Sequence, residues 1–265
     1  MGASAGTRTV WAVVLAGRKD DGRLAAGGKP TGWEALIDVA GRPMVARVLD
    51  ALGGATAVTG GAVVGPPAVE DLMPPDFVRV EPVGDTVANL VAGLAARPPG
   101  TEHVLIATAD IPLITAPIVD GLLKSLGDLS EDVYFPVVRR EVAEARFPHV
   151  RRTYVHLRDG RYTAGNLFVV RPRVLLADRG GEGLLDRMVR WRKAPWRMAL
   201  VLGPGLLAGL LLHTLSLEDA ARRVSRRLGL SGRAIVTPHA EIGVDIDKPG
   251  DLALCREVLR GVGDA

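Results

Sequence analysis

The feature that most constrains the fold is a repeated alternation. Short apolar runs rich in β-branched residues are each followed by a segment whose apolar positions recur at helical spacing. That order builds βαβ units, which call for a largely parallel sheet with helices on both faces. Parallel strands are buried on both sides and so read as continuous apolar runs. Residues 10–16, 57–64 and 103–108 have that character, and Phe77–Val80 reads as a shorter strand of the same kind. Between them the spacing predicts a helix over 43–52, with Pro43 in its first turn, a short helix after the second strand, and an amphipathic helix over 86–96. Val87, Leu90, Val91 and Leu94 form the apolar stripe of that last helix, and Asp85 or Thr86 caps it.

The second half is less regular. A helix near 117–126 and a strand over 133–138 precede a charged stretch, 139–152, that reads as an insertion or flap. Residues 154–157, a turn at Asp159-Gly160 and a strand over 166–170 then read as a hairpin-like unit. Residues 183–228 read as mostly helical, followed by a strand at 234–237, the segment 242–247 and a closing helix over 249–259. The expectation is an α/β, Rossmann-like fold: a mostly parallel central sheet, helices on both faces and a helical insertion in the C-terminal half. A chain of 265 residues can bury one substantial core. A single domain is therefore expected, with a nucleotide- and metal-binding half at 9–127, an acceptor-side and helical part at 128–232, and a closing strand and helix at 233–265.

Composition narrows the partners. Apolar residues make up 48% and charged residues 24%, so the chain folds rather than staying disordered. The 33 Lys and Arg leave a net charge of only +3 with no long basic run, which suits a small anionic ligand and argues against a nucleic-acid partner. Cys255 stands alone, which excludes an intrachain disulfide and a cysteine-based zinc cluster. With no apolar signal core in the first eight residues, a cytoplasmic protein is expected, as monomer or homodimer. Residues 198–212 are oily, but they fall short of the roughly 18 to 20 residues needed to span a bilayer and are broken by Gly203, Pro204, Gly205 and Gly209. They read as core helix or interfacial surface, and membrane contact is not expected.

Three segments carry chemistry. The loop after the first strand, residues 17–29, sets Gly17, Gly22, Gly27 and Gly28 among Arg18, Lys19, Arg23 and Lys29. Glycines let backbone N–H groups turn towards phosphate while the cations neutralise it. The loop is neither the dinucleotide-binding nor the P-loop glycine pattern. Alone, it reads equally well as a flexible solvated loop. In the second segment, Asp110-Ile111-Pro112 follows the buried strand at once, placing a carboxylate at the strand's carboxyl end, where open α/β sheets bind ligands. Such an Asp suits Mg²⁺, which takes one or two carboxylates together with water and substrate phosphates. Its bland alternative is a cap for the helix near Pro117 or a turn at Ile111-Pro112. The third segment places Asp245 and Asp247 two residues apart, on the same side of an extended strand. Here the alternative is that Asp247 caps the last helix, with Pro249 in its first turn and Asp251 favourable to its dipole. Both hold if Asp245 ligates and Asp247 caps.

The order of these parts resembles the MobA-like nucleotidyltransferase family of the GT-A type. The matching pieces are Leu15-Ala16-Gly17-Arg18, the loop to Lys29, Ala35–Met44, which looks like the family's A-L-L-x-V-x-G-x-P-M segment, Gly84–Leu90, Asp110-Ile111-Pro112 and Asp245–Pro249. The resemblance implies a GT-A-like nucleotidyltransferase fold. It implies nucleotide contacts from Leu15, Ala16, Gly17, Arg18, Gly84, Thr86 and Asn89, catalytic roles for Arg18, Lys29 and Asp110, and a Mg²⁺ or Mn²⁺ ion on Asp110, Asp245 and Asp247. It also implies in-line attack by an acceptor phosphate on the α-phosphorus of an NTP, GTP or CTP foremost, with pyrophosphate leaving. One position departs from the pattern: Glu34 stands where the family carries a Lys before A-L-L.

The acceptor should meet the middle of the chain. Candidates there are Arg139, Arg140, Arg151, Arg152, Tyr154, Asn166, Arg192 and Lys193, each of which also reads as ordinary surface polarity, and Gly165-Asn166 is the pair favoured. The sequence leaves open molybdopterin, cobinamide phosphate, a sugar phosphate or a phospholactate-like acid as acceptor. Two other readings stand beside this one: a nucleotide-sugar-utilising glycosyltransferase, for which Asp245-Ile246-Asp247 has the D-x-D form, and a non-catalytic nucleotide-binding or membrane-surface regulator.

Overall fold

The computed structural model describes residues 9–24, 31–148, 150, 152–176 and 203–263. Contacts group them into two compact units, one running to Leu129 and resuming at Val244, the other spanning Ser130–Gly243.

The first unit is built on four parallel strands in the order β3-β2-β1-β4. β1 is Val10–Leu15, β2 Val58–Val64, β3 Phe77–Val80 and β4 Val104–Thr108. β1 pairs with β2 on one side and β4 on the other, and Val10, Trp11, Ala12, Val13 and Val14 are all buried. A strand paired on both edges and covered on both faces needs this uninterrupted apolar run. Helices α1 (Met44–Gly53), α2 (Thr86–Ala95) and α3 (Ala116–Ser125) accompany the strands, with a 3-10 helix at Pro67–Leu72. Pro43 is the N-cap of α1 rather than its first helical residue. The Asp85 carboxylate caps α2, accepting hydrogen bonds from the Val87 and Ala88 amides at 3.0 Å each.

The second unit centres on β5 (Val133–Arg139). One edge of β5 pairs antiparallel with β7 (Gly160–Ala164) and β8 (Leu167–Val170), and it also pairs in parallel with β9 (Gly232–Thr237). Two expectations are corrected here. The hairpin is made by β6 (Val155–Leu157) with β7, and the strand expected at 166–170 is β8, which pairs with β5 instead. The charged stretch 139–152 also contains an ordered helix, α4 (Arg140–Arg146), tied by an Arg140–Glu144 ion pair at 2.7 Å, one turn apart. Four of its seven residues are charged and Ala143 alone is buried, so no helical period shows. After α5 (Pro172–Leu176), the described part of the expected helical region is α6 (Pro204–Leu211) and α7 (Leu217–Leu228). α7 begins at a Ser216 cap and ends at Gly229 in the left-handed conformation. Leu206 and Leu215 pack with Val137, Leu157 and Tyr162 in this unit's core.

The chain closes with α8 (Pro249–Gly263) in the first unit, four residues longer than expected. Among the described residues, no helix is long and apolar enough to cross a membrane.

Candidate active site

β1, β4 and the 244–247 segment converge on Asp110. The Ala109 amide donates to the Leu15 carbonyl at 3.1 Å, so the chain leaving β4 is pinned to the end of β1. The Ile246 amide donates to the Asp110 carbonyl at 2.9 Å, which ties the late acidic segment to the same edge. Val244 and Ile246 are buried, Asp245 is half-buried and Asp247 exposed, the alternation of an extended segment with both carboxylates on one side. The sequence expectation for this pair matches that alternation.

Asp110 is half-buried, and the Thr108 hydroxyl donates to its Oδ1 at 2.5 Å. Burial pushes its carboxyl from 3.8 up to about 6; the Thr108 bond opposes this, while the charges of Asp245 and Asp247 reinforce it. Asp247 is raised as well, through burial and then the neighbouring charge and hydrogen bond of Asp245, with Arg18 acting in the opposite direction. These are the electrostatics of a carboxylate group short of positive charge. At the entrance to α8, the Asp251 carboxylate accepts from the Asp247 and Lys248 amides at 3.2 Å each. Of the two alternatives for Asp110, the cap near Pro117 falls to Thr115, the N-cap residue of α3, while the chain does turn at residues 109–110 and 112–113.

Among the described residues, no three His, Cys, Asp or Glu side chains enclose a cation by themselves. The donor set suits a hard cation that brings water and substrate oxygens with it, as Mg²⁺ does.

The glycine loop after β1 is anchored from inside. The Asp20 carboxylate accepts from the Gly22 and Thr31 amides at 2.9 and 2.8 Å and from the Thr31 hydroxyl, closing the loop across its base. The Lys19 ammonium lies 3.3 Å above the Trp33 ring. Arg18 reaches back to Glu34, Nε to Oε2 at 3.1 Å, and Arg23 approaches the other oxygen at 3.4 Å. Glu34 is only 5% exposed, whereas both arginine side chains are about half exposed. Lys29 lies outside the described residues.

Gly17 and the 84–89 segment meet directly. A Cβ on Gly17 would lie 2.8 Å from the Asn89 Nδ2 and 3.0 Å from the Pro82 Cβ. Asn89 is buried, its Oδ1 accepting from the Val83 and Gly84 amides and its Nδ2 donating to the Gly84 carbonyl. It braces the turn that presents Gly84 and Thr86, both of which are exposed. Leu15 is half-buried, Ala16 buried and Gly17 half-buried at the strand's end.

The residues expected on the acceptor side belong to the second unit. Arg139 donates to the Asp159 carbonyl at 3.1 Å and stacks 5.1 Å from the Tyr162 ring centroid. Gly165 is enclosed: a Cβ there would lie 2.5 Å from Ile242 Cγ2 and 2.9 Å from Pro136 Cγ. Its amide donates to the Pro136 carbonyl, that of Asn166 to the Ile242 carbonyl, and Asn166 is half-buried. Arg140 is held by Glu144 and lies 5.8 Å from the Tyr154 ring. Arg151, Arg192 and Lys193 lie outside the described residues.

Sequence reasoning missed the parts played by Thr108, Asp20 and Asp251. The Asp20-Asp21-Gly22 run is a turn signal, because an Asp side chain readily binds the amide two residues on. Thr108 leaves no signal of its own among the β-branched residues of its strand.

A sheet of this order with carboxylates at its carboxyl edge and a basic glycine loop beside them is the architecture of a nucleotide-binding α/β enzyme. Comparison makes that specific: residues 12–229 match the MobA-like NTP transferase domain, and the chain belongs to that family and is a nucleotidyltransferase. A hypothetical transferase from Thermus thermophilus is 36% identical, with a TM-score of 0.78 over 92% of this chain and 99% of that one. The fold is shared at low identity with two other solved structures. A 4-diphosphocytidyl-2C-methyl-D-erythritol synthase from Anaerococcus prevotii is 11% identical, with a TM-score of 0.54 over 96% of this chain and 99% of that one. A CMP:2-keto-3-deoxy-manno-octonic acid synthetase complexed with CTP is 14% identical, with a TM-score of 0.56 over the same shares. Comparison with curated protein sequences finds no match. The expected GT-A-like nucleotidyltransferase fold and family are thereby established.

Proposed function

We propose that this nucleotidyltransferase is metal-dependent and moves the NMP group of an NTP to a small phosphorylated acceptor, releasing pyrophosphate. The observation that carries the reading is the Asp110 carboxyl at the end of β4, tied through its carbonyl to the Asp245–Asp247 segment, with its pKa raised first by burial and then by the negative charges of Asp245 and Asp247. Asp110 and Asp245, with Asp247, would hold Mg²⁺ or Mn²⁺. When bound, such an ion polarises phosphate oxygens and offsets their charge. The chain's own contributions are positional. The Leu15–Arg18 turn and the exposed Gly84–Thr86 turn receive the nucleotide, and the Arg18 guanidinium offsets charge on the β- and γ-phosphates as pyrophosphate departs. Lys29 keeps the same role on the sequence reading.

An oxygen of the acceptor phosphate attacks the α-phosphorus, and the bond from that phosphorus to the β-bridging oxygen breaks. The nucleophile is already ionised near neutral pH, so no side chain has to remove its proton. Within the second unit, Arg139 is engaged by Asp159 and Tyr162, and Gly165 has no free space around it, which leaves Asn166 as the acceptor-side candidate of that unit. CTP is favoured over the other bases by the CTP-bound synthetase among the fold relatives, with GTP next on the family resemblance. A cytoplasmic setting supplies both.

The test is a thermal-shift panel of four NTPs with and without Mg²⁺. One NTP is expected to raise the Tm by several degrees, as binding at 100 times Kd contributes about 2.7 kcal/mol, and only when the cation is present. Absence of metal-dependent protection by every NTP overturns the reading.

A further inference from the structure

We infer that Glu34 is a positioning residue for the triphosphate: its buried carboxylate grips the Nε edge of Arg18 and leaves the outer edge of that guanidinium to the phosphates. This rests on the nucleotidyltransferase site proposed above and deepens it.

Three observations support it. Glu34 is buried, while the Arg18 side chain it holds is 53% exposed, so the pair is fixed at one end and presented to solvent at the other. The contact is made through Nε at 3.1 Å, and a guanidinium held by that edge keeps its two terminal nitrogens for the bidentate contact that phosphate oxygens favour. Arg23 is arranged differently. Its Nε pairs with Asp21 at 2.5 Å and its Nη2 with Glu34 at 3.4 Å, so it is occupied at both ends and acts as a brace.

Burial and the charges of Asp21, Asp20 and Asp247 work against an anionic Glu34, and Arg18 is the charge that favours it. The same guanidinium favours the anionic form of Asp247. A divalent cation held by the acidic pair would repel a neighbouring guanidinium. A fixed negative charge behind Arg18 lets both cations face one triphosphate. The position that carries a lysine in the family's usual pattern here carries the counter-charge for an arginine, Arg18.

Burial raises the Glu34 carboxyl above its ordinary value, so a neutral isostere suits the pocket and Glu34→Gln should fold. The test is a double-mutant cycle of Glu34→Gln and Arg18→Ala, reading the Kd of the Mg²⁺-NTP that protects the wild type, together with KM, kcat and Tm. Glu34→Gln is expected to weaken NTP binding about tenfold or more and to raise KM more than it lowers kcat. In the Arg18→Ala background the same substitution should add less than about twofold, because the group it positions is gone. A purely structural role gives effects that multiply and a lower Tm. Multiplying effects, or unchanged affinity in Glu34→Gln while the wild type binds NTP, overturn this inference and leave the proposed function standing. If the wild type binds no NTP, both fall.

Discussion

Replacing Asp110 by Asn is expected to lower nucleotidyl transfer about a thousandfold while making the nucleotide-free protein more stable. The loss follows from removing the central charge of the acidic group, since deleting one preorganised electrostatic element costs about 10²–10³ in rate and this one would also hold the cation. The gain follows from linkage. Burial raises the Asp110 carboxyl to about 6 from 3.8. Between those values the folded chain binds a proton that the unfolded chain has lost, so stability falls as pH rises through the window from about 4 to about 6. Above pH 6 the folded protein bears the whole cost, about 3 kcal/mol. Asn carries no charge and still offers Thr108 an oxygen at the same place. At pH 7.5 without divalent cation the variant should therefore melt several degrees above the wild type, and the gap should narrow through pH 6 to 4 and close below about pH 4. Scanning calorimetry at the two pH values measures it. A destabilised variant at pH 7.5, or one that retains turnover, contradicts this assignment.

The second large effect is expected from Gly17→Val. A Cβ at this position meets Asn89 Nδ2 at 2.8 Å and the Pro82 Cβ at 3.0 Å, and valine adds two methyl groups beyond it. Asn89 cannot swing aside cheaply, because its carboxamide satisfies the Val83 and Gly84 amides and is itself buried. The backbone after β1 must move instead, taking Arg18 with it. A displacement of about 1 Å in a positioning element costs about a hundredfold in kcat/KM, and the overpacking about 1–3 kcal/mol in stability. Steady-state kinetics beside a urea melt separates the two, and near wild-type NTP affinity would show that the contact of Gly17 with Pro82 and Asn89 does not matter.

How much of this was legible depended on burial. The first unit was read nearly element by element because β1, β2 and β4 are buried on both faces and carry unbroken apolar runs such as Val10–Leu15. The second unit was harder. α4 is a seven-residue helix of mostly charged residues with Ala143 alone buried, so its period does not show. β7 reads G-R-Y-T-A with two buried positions, too weak an apolar run to claim the pairing with β6 and β5 that it makes. At the site, Asp110, Asp245 and Asp247 could be singled out because a carboxylate after a buried strand, or a pair two residues apart, is a local pattern. The Glu34–Arg18 pair spans 16 positions and depends on how the loop folds back, and the Asn89 brace depends on where Pro82–Gly84 passes Gly17. Such contacts are properties of the packed chain, and no spacing in the sequence announces them.

The central claim is metal-dependent nucleotidyl transfer at the Asp110 edge. It is tested most directly by measuring pyrophosphate release from each of four NTPs with a panel of phosphorylated acceptors, in Mg²⁺ and in excess chelator, for the wild type and Asp110→Asn. Pyrophosphate release is expected with one preferred NTP, dependent on both acceptor and Mg²⁺ and lost in the variant. Release of nucleoside diphosphate in its place, or pyrophosphate formed equally well in chelator or by the variant, would contradict it.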